Sequence, residues 1–250
     1  MLEPIPEFSK VIQAHLRRTE WGDFPDVIIH ADESLVKKHS LYPPAKQGNY
    51  DAAEALVLET CTIGALDRIS TLLGESRPFL LAVNALETEG VNVIPRVLAR
   101  FLSKILDLPL ANGFLQINRV THTGADGYHR LALPALFDGE VREGEYLLVD
   151  DFIGQGGTLA NLRGFIEARA AKVIGATTLT GKAYSAKLRL EMETLRTLRG
   201  KHGNELEEWW LATFGYSFER LTESEARYLA RADDAHAVSA RIVAAMRGGN

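Results

Sequence analysis

At 250 residues, 46% of them hydrophobic, the chain is long enough for one large globular α/β domain or for a core with an appended cap. Its 28 basic and 33 acidic residues leave a net charge of −5, so no global basic field favours a nucleic-acid partner. The single cysteine excludes an internal disulfide and a cysteine-built zinc site, and no signal leader or membrane span is legible, so a cytoplasmic protein without a membrane partner is expected.

From the amino terminus, Phe8, Val11, Ile12 and Leu16 share one helical stripe, and the apolar run 27–29 reads as a short strand ending at His30. Pro43 and Pro44 break the chain. The stretch 42–50 is therefore read as a loop, either a substrate rim or a plain surface linker. Asp51 is placed to cap a long helical segment to about Leu73, interrupted near Gly64. Cys61 lies within it among Leu58, Leu66, Ile69 and Leu72, the setting of a core thiol rather than a nucleophile.

The run 79–83 is the first central strand, and the loop after it faces a ligand if the sheet is parallel. The stretch 84–95 fills that loop, and a helix through Val97, Leu98, Phe101, Leu102 and Leu106 comes next. A second strand is expected over 113–118, delivering Arg119 into a loop that ends at Arg130 and carries His122, Gly124, Gly127 and His129. That composition suits a mobile cover over a reaction centre. The spacing of the two histidines offers no metal site. A hairpin or a strand is expected over 131–141, with a turn at Asp138 and Gly139.

The run 146–149 has the pattern of an interior parallel strand, and it stops at Asp150 and Asp151. Gly154, Gly156 and Gly157 then let the backbone turn tightly and present consecutive N–H groups, and Thr158 adds a hydroxyl at the head of a helix over 159–169. Such a turn is an anion cradle, most naturally for phosphate. Paired carboxylates repel phosphate unless they bind another part of the same ligand, and sugar hydroxyls meet that demand. A ribose 5-phosphate would place its phosphate on residues 154–158 and its diol on Asp150 and Asp151. The spacing is no dinucleotide fingerprint, because Leu159 stands where a third glycine is required; the run from Gly175 to Lys182 is no Walker loop.

Another buried strand is expected over 172–180, so strands and helices alternate as in a doubly wound sheet. Lys182 follows at its carboxyl edge, either facing the crevice or solvated. Beyond it the chain is helical: a segment through Leu188, Met192, Leu195 and Leu198 ends at Gly200, and a shorter one carries Leu206, Trp209, Trp210 and Leu211. Thr222 and Glu225 form a capping box for a helix to Arg231, and Asp234 caps the last one to Met246. The aromatics of 209–218 suit core packing or a dimer face, with a nucleobase wall as the alternative.

Taken with its register, the segment 147–159 resembles the ribose-phosphate signature of type I phosphoribosyltransferases, with Val149, Asp150, Asp151, Gly156, Gly157, Thr158 and Leu159 at the matching positions. The resemblance implies an α/β core of parallel sheet flanked by helices over 76–183, a helical amino-terminal segment over 1–75, and a helical extension over 184–250, packed as one unit with the additions forming a hood or dimer surface. It further implies a transferase of nucleotide metabolism, a homodimer, that binds phosphoribosyl pyrophosphate and passes the phosphoribosyl group to a nitrogenous acceptor with release of pyrophosphate. Mg2+ would be held chiefly by the substrate's own oxygens. On this likeness Asp150, Asp151, Arg119 and Arg130 are the catalytic positions; Gly154, Gln155, Gly156, Gly157 and Thr158 hold the ribose phosphate. Asn84, Ala85, Gly90 and Asn92 form the pyrophosphate loop; by position Lys182 and His122 are further candidates, with a solvated loop side chain as the alternative for each.

The step Gly90, Val91, Asn92 resembles competence-associated, ComF-like members. Those carry arginines before the glycine, where this chain has Glu87 and Glu89. Gly154 stands where hypoxanthine–guanine members place an Asp beside the purine, which argues against that subclass, and Gln155 replaces a commoner small residue. The alternative is a non-catalytic relative of this fold, a regulator or a nucleic-acid-associated protein, that only binds phosphoribosyl pyrophosphate or a nucleotide.

Overall fold

A computed structural model of the chain describes residues 2–4, 7, 9–83, 86–87, 90–118 and 127–248, with backbone alone at 86, 87 and 90. Helix α1 (Ser9–His15) buries Ile12, and β1 (Ile28–Asp32) follows after an irregular stretch. Asp32 accepts the Ser34 N–H at 2.8 Å and so caps α2 (Glu33–Lys37). The next stretch is not the loop that two prolines suggest, because Tyr42–Lys46 forms a short helix, α3. Pro43 and Pro44 sit in its first turn, where the missing N–H groups would have no helical acceptor in any case. Asn49, not Asp51, caps α4 (Tyr50–Thr60), accepting the Ala52 N–H at 3.0 Å. The break expected near Gly64 falls earlier, at Cys61 and Thr62, whose extended backbone lets the Thr62 hydroxyl cap α5 (Ile63–Leu73). Cys61 is partly buried against the core beneath, and burial pushes its thiol up to about 12, so it carries no thiolate near neutrality.

Strand β2 (Phe79–Ala82) leads to an antiparallel pair, β3 (Leu86–Glu87) and β4 (Gly90–Val91), and then to α6 (Ile94–Leu106). Strand β5 (Phe114–Gln116), α7 (Gly127–Ala132) and β6 (Phe137–Gly139) precede the central unit of β7 (Glu145–Ile153), α8 (Gly157–Glu167) and β8 (Lys172–Gly181). The main sheet is parallel throughout, in the order β1-β8-β7-β2. β1, from the segment read as lying outside the core, forms one edge of it. β5, expected as the second strand, does not join this sheet and among the described residues pairs with β6 alone. The free edge of β2 is already engaged by the chain at 109–111, where Leu80 donates to the Pro109 carbonyl and accepts from Ala111, both at 2.8 Å. Of the hairpin or strand expected over 131–141, the strand is found, as β6, and Asp138 and Gly139 lie within it and not at a turn beyond it.

The period of two along β7 sends its side chains into two cores. Leu147 and Val149 pack with Ile69, Leu98 and Leu102, while Tyr146 and Leu148 pack with Leu162 and Phe165 of α8. A parallel sheet requires such cover on both faces, because crossover helices leave neither face to water. Gly164 of α8 faces the irregular chain after α1, and a Cβ there would lie 2.0 Å from the Arg17 carbonyl oxygen. Backbone cannot swing aside as a side chain can. Gly164→Ala is therefore expected to destabilise the protein by about 1–3 kcal/mol, read as a lower urea midpoint.

After a 3₁₀ turn at Ala183–Ser185, helix α9 (Met192–Phe214) runs through Gly200, where an end was expected, and kinks instead at Gly203. That residue adopts φ 69° and ψ −178°, which glycine alone reaches without strain. A 3₁₀ turn at Phe218–Arg220, then α10 (Glu223–Ala230) and α11 (Ala235–Gly248), complete the chain. Trp210, Phe214 and Phe218 stack inward with Ile12 and Ile242 as a third core, so the aromatic run serves packing. Among the described residues no helix is long and apolar enough to cross a membrane.

Candidate active site at the carboxyl edge of the sheet

Strand β7 continues past the point where the apolar run ends, so Asp150 and Asp151 lie within the strand and not after it. Both are largely buried, yet both line a cavity of about 510 Å³ together with Gly154, Gln155, Gly156, Gly157 and Thr158. The strand alternation splits the pair. Asp151 shares the parity of Val149 and turns towards Lys46 of α3, whose Nζ lies 3.1 Å from its Oδ2. Asp150 takes the other parity and accepts the Asp151 N–H at 2.8 Å.

Their environments push the two carboxyls apart. Burial, reinforced by the neighbouring Asp151 charge, holds Asp150 well above the usual carboxylate range. Burial works upward on Asp151 as well, but the Lys46 charge and hydrogen bonds from Asp150, Lys46 and Asn92 outweigh it, so Asp151 titrates low. The pair thus offers the cavity two carboxyls of unlike acidity side by side, Asp151 the more firmly held anion. Each can accept the O–H of one hydroxyl of a vicinal diol.

At the end of β7 the chain turns through Gly156, which takes φ 81° and ψ 0° as the residue before α8. The N–H groups of the first turn of α8 have no helical acceptors, and the positive end of the helix dipole stands behind them. The turn is tightly walled. A Cβ on Gly156 would lie 2.2 Å from Cδ2 of Leu188, one on Gly154 2.7 Å from Nη1 of Arg130, and one on Gly157 2.5 Å from Oε1 of Glu225.

The other expected site residues divide. Arg130 lines the cavity, but from helix α7 and not from a loop. Asn92 lines it too, and its side chain accepts the N–H of Ile94, the first residue of α6, at 3.2 Å. Gly90 lies in β4. Arg119, His122, Asn84 and Ala85 lie outside the described residues. Lys182 does not line this cavity among the described residues; it borders a separate hollow with His30, Asp32 and Tyr184. Sequence reasoning passed over four charged lining residues: Lys37, whose ammonium rests 4.0 Å over the Phe152 ring, Lys46, Arg18 and Glu225. Lys46 carried a weak signal, as the lysine of a segment read as a possible rim; Arg18 and Glu225 carried none, since one is a basic residue beside another and the other looked spent on a helix cap.

The described residues hold no cluster of three or more side chains able to bind a metal ion.

The site and sheet together describe an α/β protein with a ligand crevice at the carboxyl ends of parallel strands. Comparison with known protein families finds none that the chain matches. It is 37% identical over 229 residues to Protein TraN of Escherichia coli, covering 91% of this chain and 51% of that protein. It is also 40% identical over 151 residues to an uncharacterized protein of Haemophilus influenzae, covering 60% of this chain and 34% of the other. The chain thus spans about half the length of the first relative and about a third of the second. Among solved structures it is similar to adenine phosphoribosyltransferase of Leishmania donovani, at 12% identity and a TM-score of 0.34 over 81% of this chain and 76% of that one. The Leishmania tarentolae enzyme scores 0.32 at 14% identity, over 67% of this chain and 82% of that one.

Proposed function

We propose that the chain binds phosphoribosyl pyrophosphate and transfers its phosphoribosyl group to a nitrogenous acceptor. The observation that carries this is the joint opening of Asp150, Asp151 and the turn 154–158 onto one cavity. The 5-phosphate sits on the turn and the diol on the two acids. A nitrogen lone pair attacks the anomeric carbon, the bond to the pyrophosphate oxygen breaks, and the pyrophosphate leaves as an anion. The transition state carries positive charge on the ring, which the Asp151 carboxylate stabilises. Arg130 and Lys46, which line the same cavity, supply positive charge to the departing group, and Mg2+ on the ligand's oxygens would neutralise more of its charge.

Incubation with phosphoribosyl pyrophosphate, Mg2+ and a panel of nucleobases and related amines is expected to release pyrophosphate with at least one acceptor. No release, together with no calorimetric binding of phosphoribosyl pyrophosphate, sinks the reading. A second reading is favoured by Glu87 and Glu89, which occupy the stretch where the resemblance expects arginines: the chain binds the same ligand without turning it over. Tight binding with no pyrophosphate release across the panel is its signature.

A further inference from the structure

The turn that ends β7 is held from outside the signature. The Thr222 hydroxyl, fully buried at the head of α10, donates to the Gln155 carbonyl at 2.6 Å across 67 positions of sequence. The same oxygen accepts the Glu225 N–H at 3.0 Å. Its one proton is therefore committed to Gln155 and a lone pair to Glu225, which fixes the hydroxyl's orientation. In a planar trans peptide the C=O and the following N–H point in opposite directions. Tying the Gln155 carbonyl to Thr222 thus aims the Gly156 N–H away from α10.

Thr222 is itself braced. Its N–H donates to Oε2 of Glu225 at 2.8 Å, and the Glu225 carboxylate is gripped by both terminal nitrogens of Arg18, at 2.5 and 2.8 Å. Arg18 closes the circuit on α8, where its Nε donates to Oδ1 of Asn161 at 2.8 Å. A carboxylate this close to Gly157 would repel an anion in the turn. Arg18 cancels that charge, so the brace adds rigidity without adding repulsion.

We propose that Thr222 is a positioning residue for the anion cradle, with Glu225 and Arg18 as its supports, so that the carboxyl-terminal helices form part of the phosphate site from behind. This rests on the reading of 154–158 as a phosphate turn. The test is equilibrium binding of inorganic phosphate and of ribose 5-phosphate to the full chain. Thr222→Val is expected to weaken both by about fivefold to tenfold, the worth of one buried hydrogen bond that orders a donor. Thr222→Ser, which keeps the hydroxyl, should stay within about twofold of the parent. Asp234→Ala serves as the stability control: it removes a comparable cap from α11, where Asp234 accepts the Ala237 N–H at 2.7 Å, and should leave both affinities unchanged.

Equal affinities for the parent and Thr222→Val overturn the proposal, as does an equal loss in Asp234→Ala. If the parent binds phosphate but gains nothing from the ribose, the ribose reading fails while the comparison in phosphate still decides the role of Thr222. A parent that binds neither probe overturns both.

Discussion

Replacing Asp150 and Asp151 together by Asn is expected to weaken ribose 5-phosphate binding by about a hundredfold to ten-thousandfold while the protein remains folded. Each hydrogen bond from a hydroxyl to a charged carboxyl is worth about 1.5–3 kcal/mol, and about 1.4 kcal/mol is a factor of ten in affinity. Calorimetry with undiminished affinity in the double variant would remove the diol from the site. The single change Asp150→Asn has a further signature in stability. A carboxyl whose folded pKa is raised contributes most at acid pH, and its contribution is lost as pH climbs from the ordinary carboxylate range through the raised value. Asp151, held low, behaves in the opposite sense, stabilising above the ordinary range and losing that contribution as pH falls through its depressed value. Asp150→Asn removes the first effect and leaves Lys46, the leading cause of the second, in place. Its urea midpoint should exceed that of the parent at neutral pH, with the gain shrinking towards pH 4. A midpoint that falls at neutral pH would mean that burial is not what disfavours the Asp150 charge. Loss of binding with a gain in stability is the expected mark of a residue kept for its chemistry.

The parts of this site that were legible in the sequence are those coded over short spans. The apolar run, the two acids and the glycines lie within thirteen consecutive positions, 145–157, and local geometry alone brings them together. The same holds for the box of Thr222 and Glu225, where a hydroxyl and a carboxyl meet across one helical turn. What could not be read was the use to which that box is put. Glu225 reaches Arg18 across 207 positions and Thr222 reaches Gln155 across 67, contacts that only the packing of three cores creates. Local competition misled the reading elsewhere. Two prolines looked like a break but suit a first helical turn, Gly64 looked like an interruption where Thr62 had the better cap, and Gly200 looked like an end while Gly203 took the positive φ. The strand at β5 had the right pattern for the sheet, and a neighbouring segment had already taken the edge it would have needed.

Arg18→Ala is expected to be among the most damaging single changes for stability, at about 3–5 kcal/mol. For a chain of this size that is a fall in Tm of roughly 6–20 °C, measured calorimetrically. The side chain is buried, donates to Glu225, Asn161 and the Arg220 carbonyl, and packs 4.8 Å from the Tyr216 ring centre. The larger part of the loss comes from what remains, because Glu225 would keep a carboxylate in an interior with no cation beside it. That origin gives the variant a pH signature. An unpartnered buried carboxylate takes up a proton more readily on folding, so Arg18→Ala should regain stability relative to the parent as pH falls, and lose it as pH rises. It also predicts how the damage can be repaired: adding Glu225→Leu to Arg18→Met removes the stranded charge and fills the space, and this pair should be more stable than Arg18→Ala alone, although the capping box is gone. If the double replacement is no better than the single one, the pair is valued for its hydrogen bonds to α8 and the Arg220 carbonyl and not for mutual neutralisation. The brace behind the phosphate turn would then owe its stiffness to Asn161.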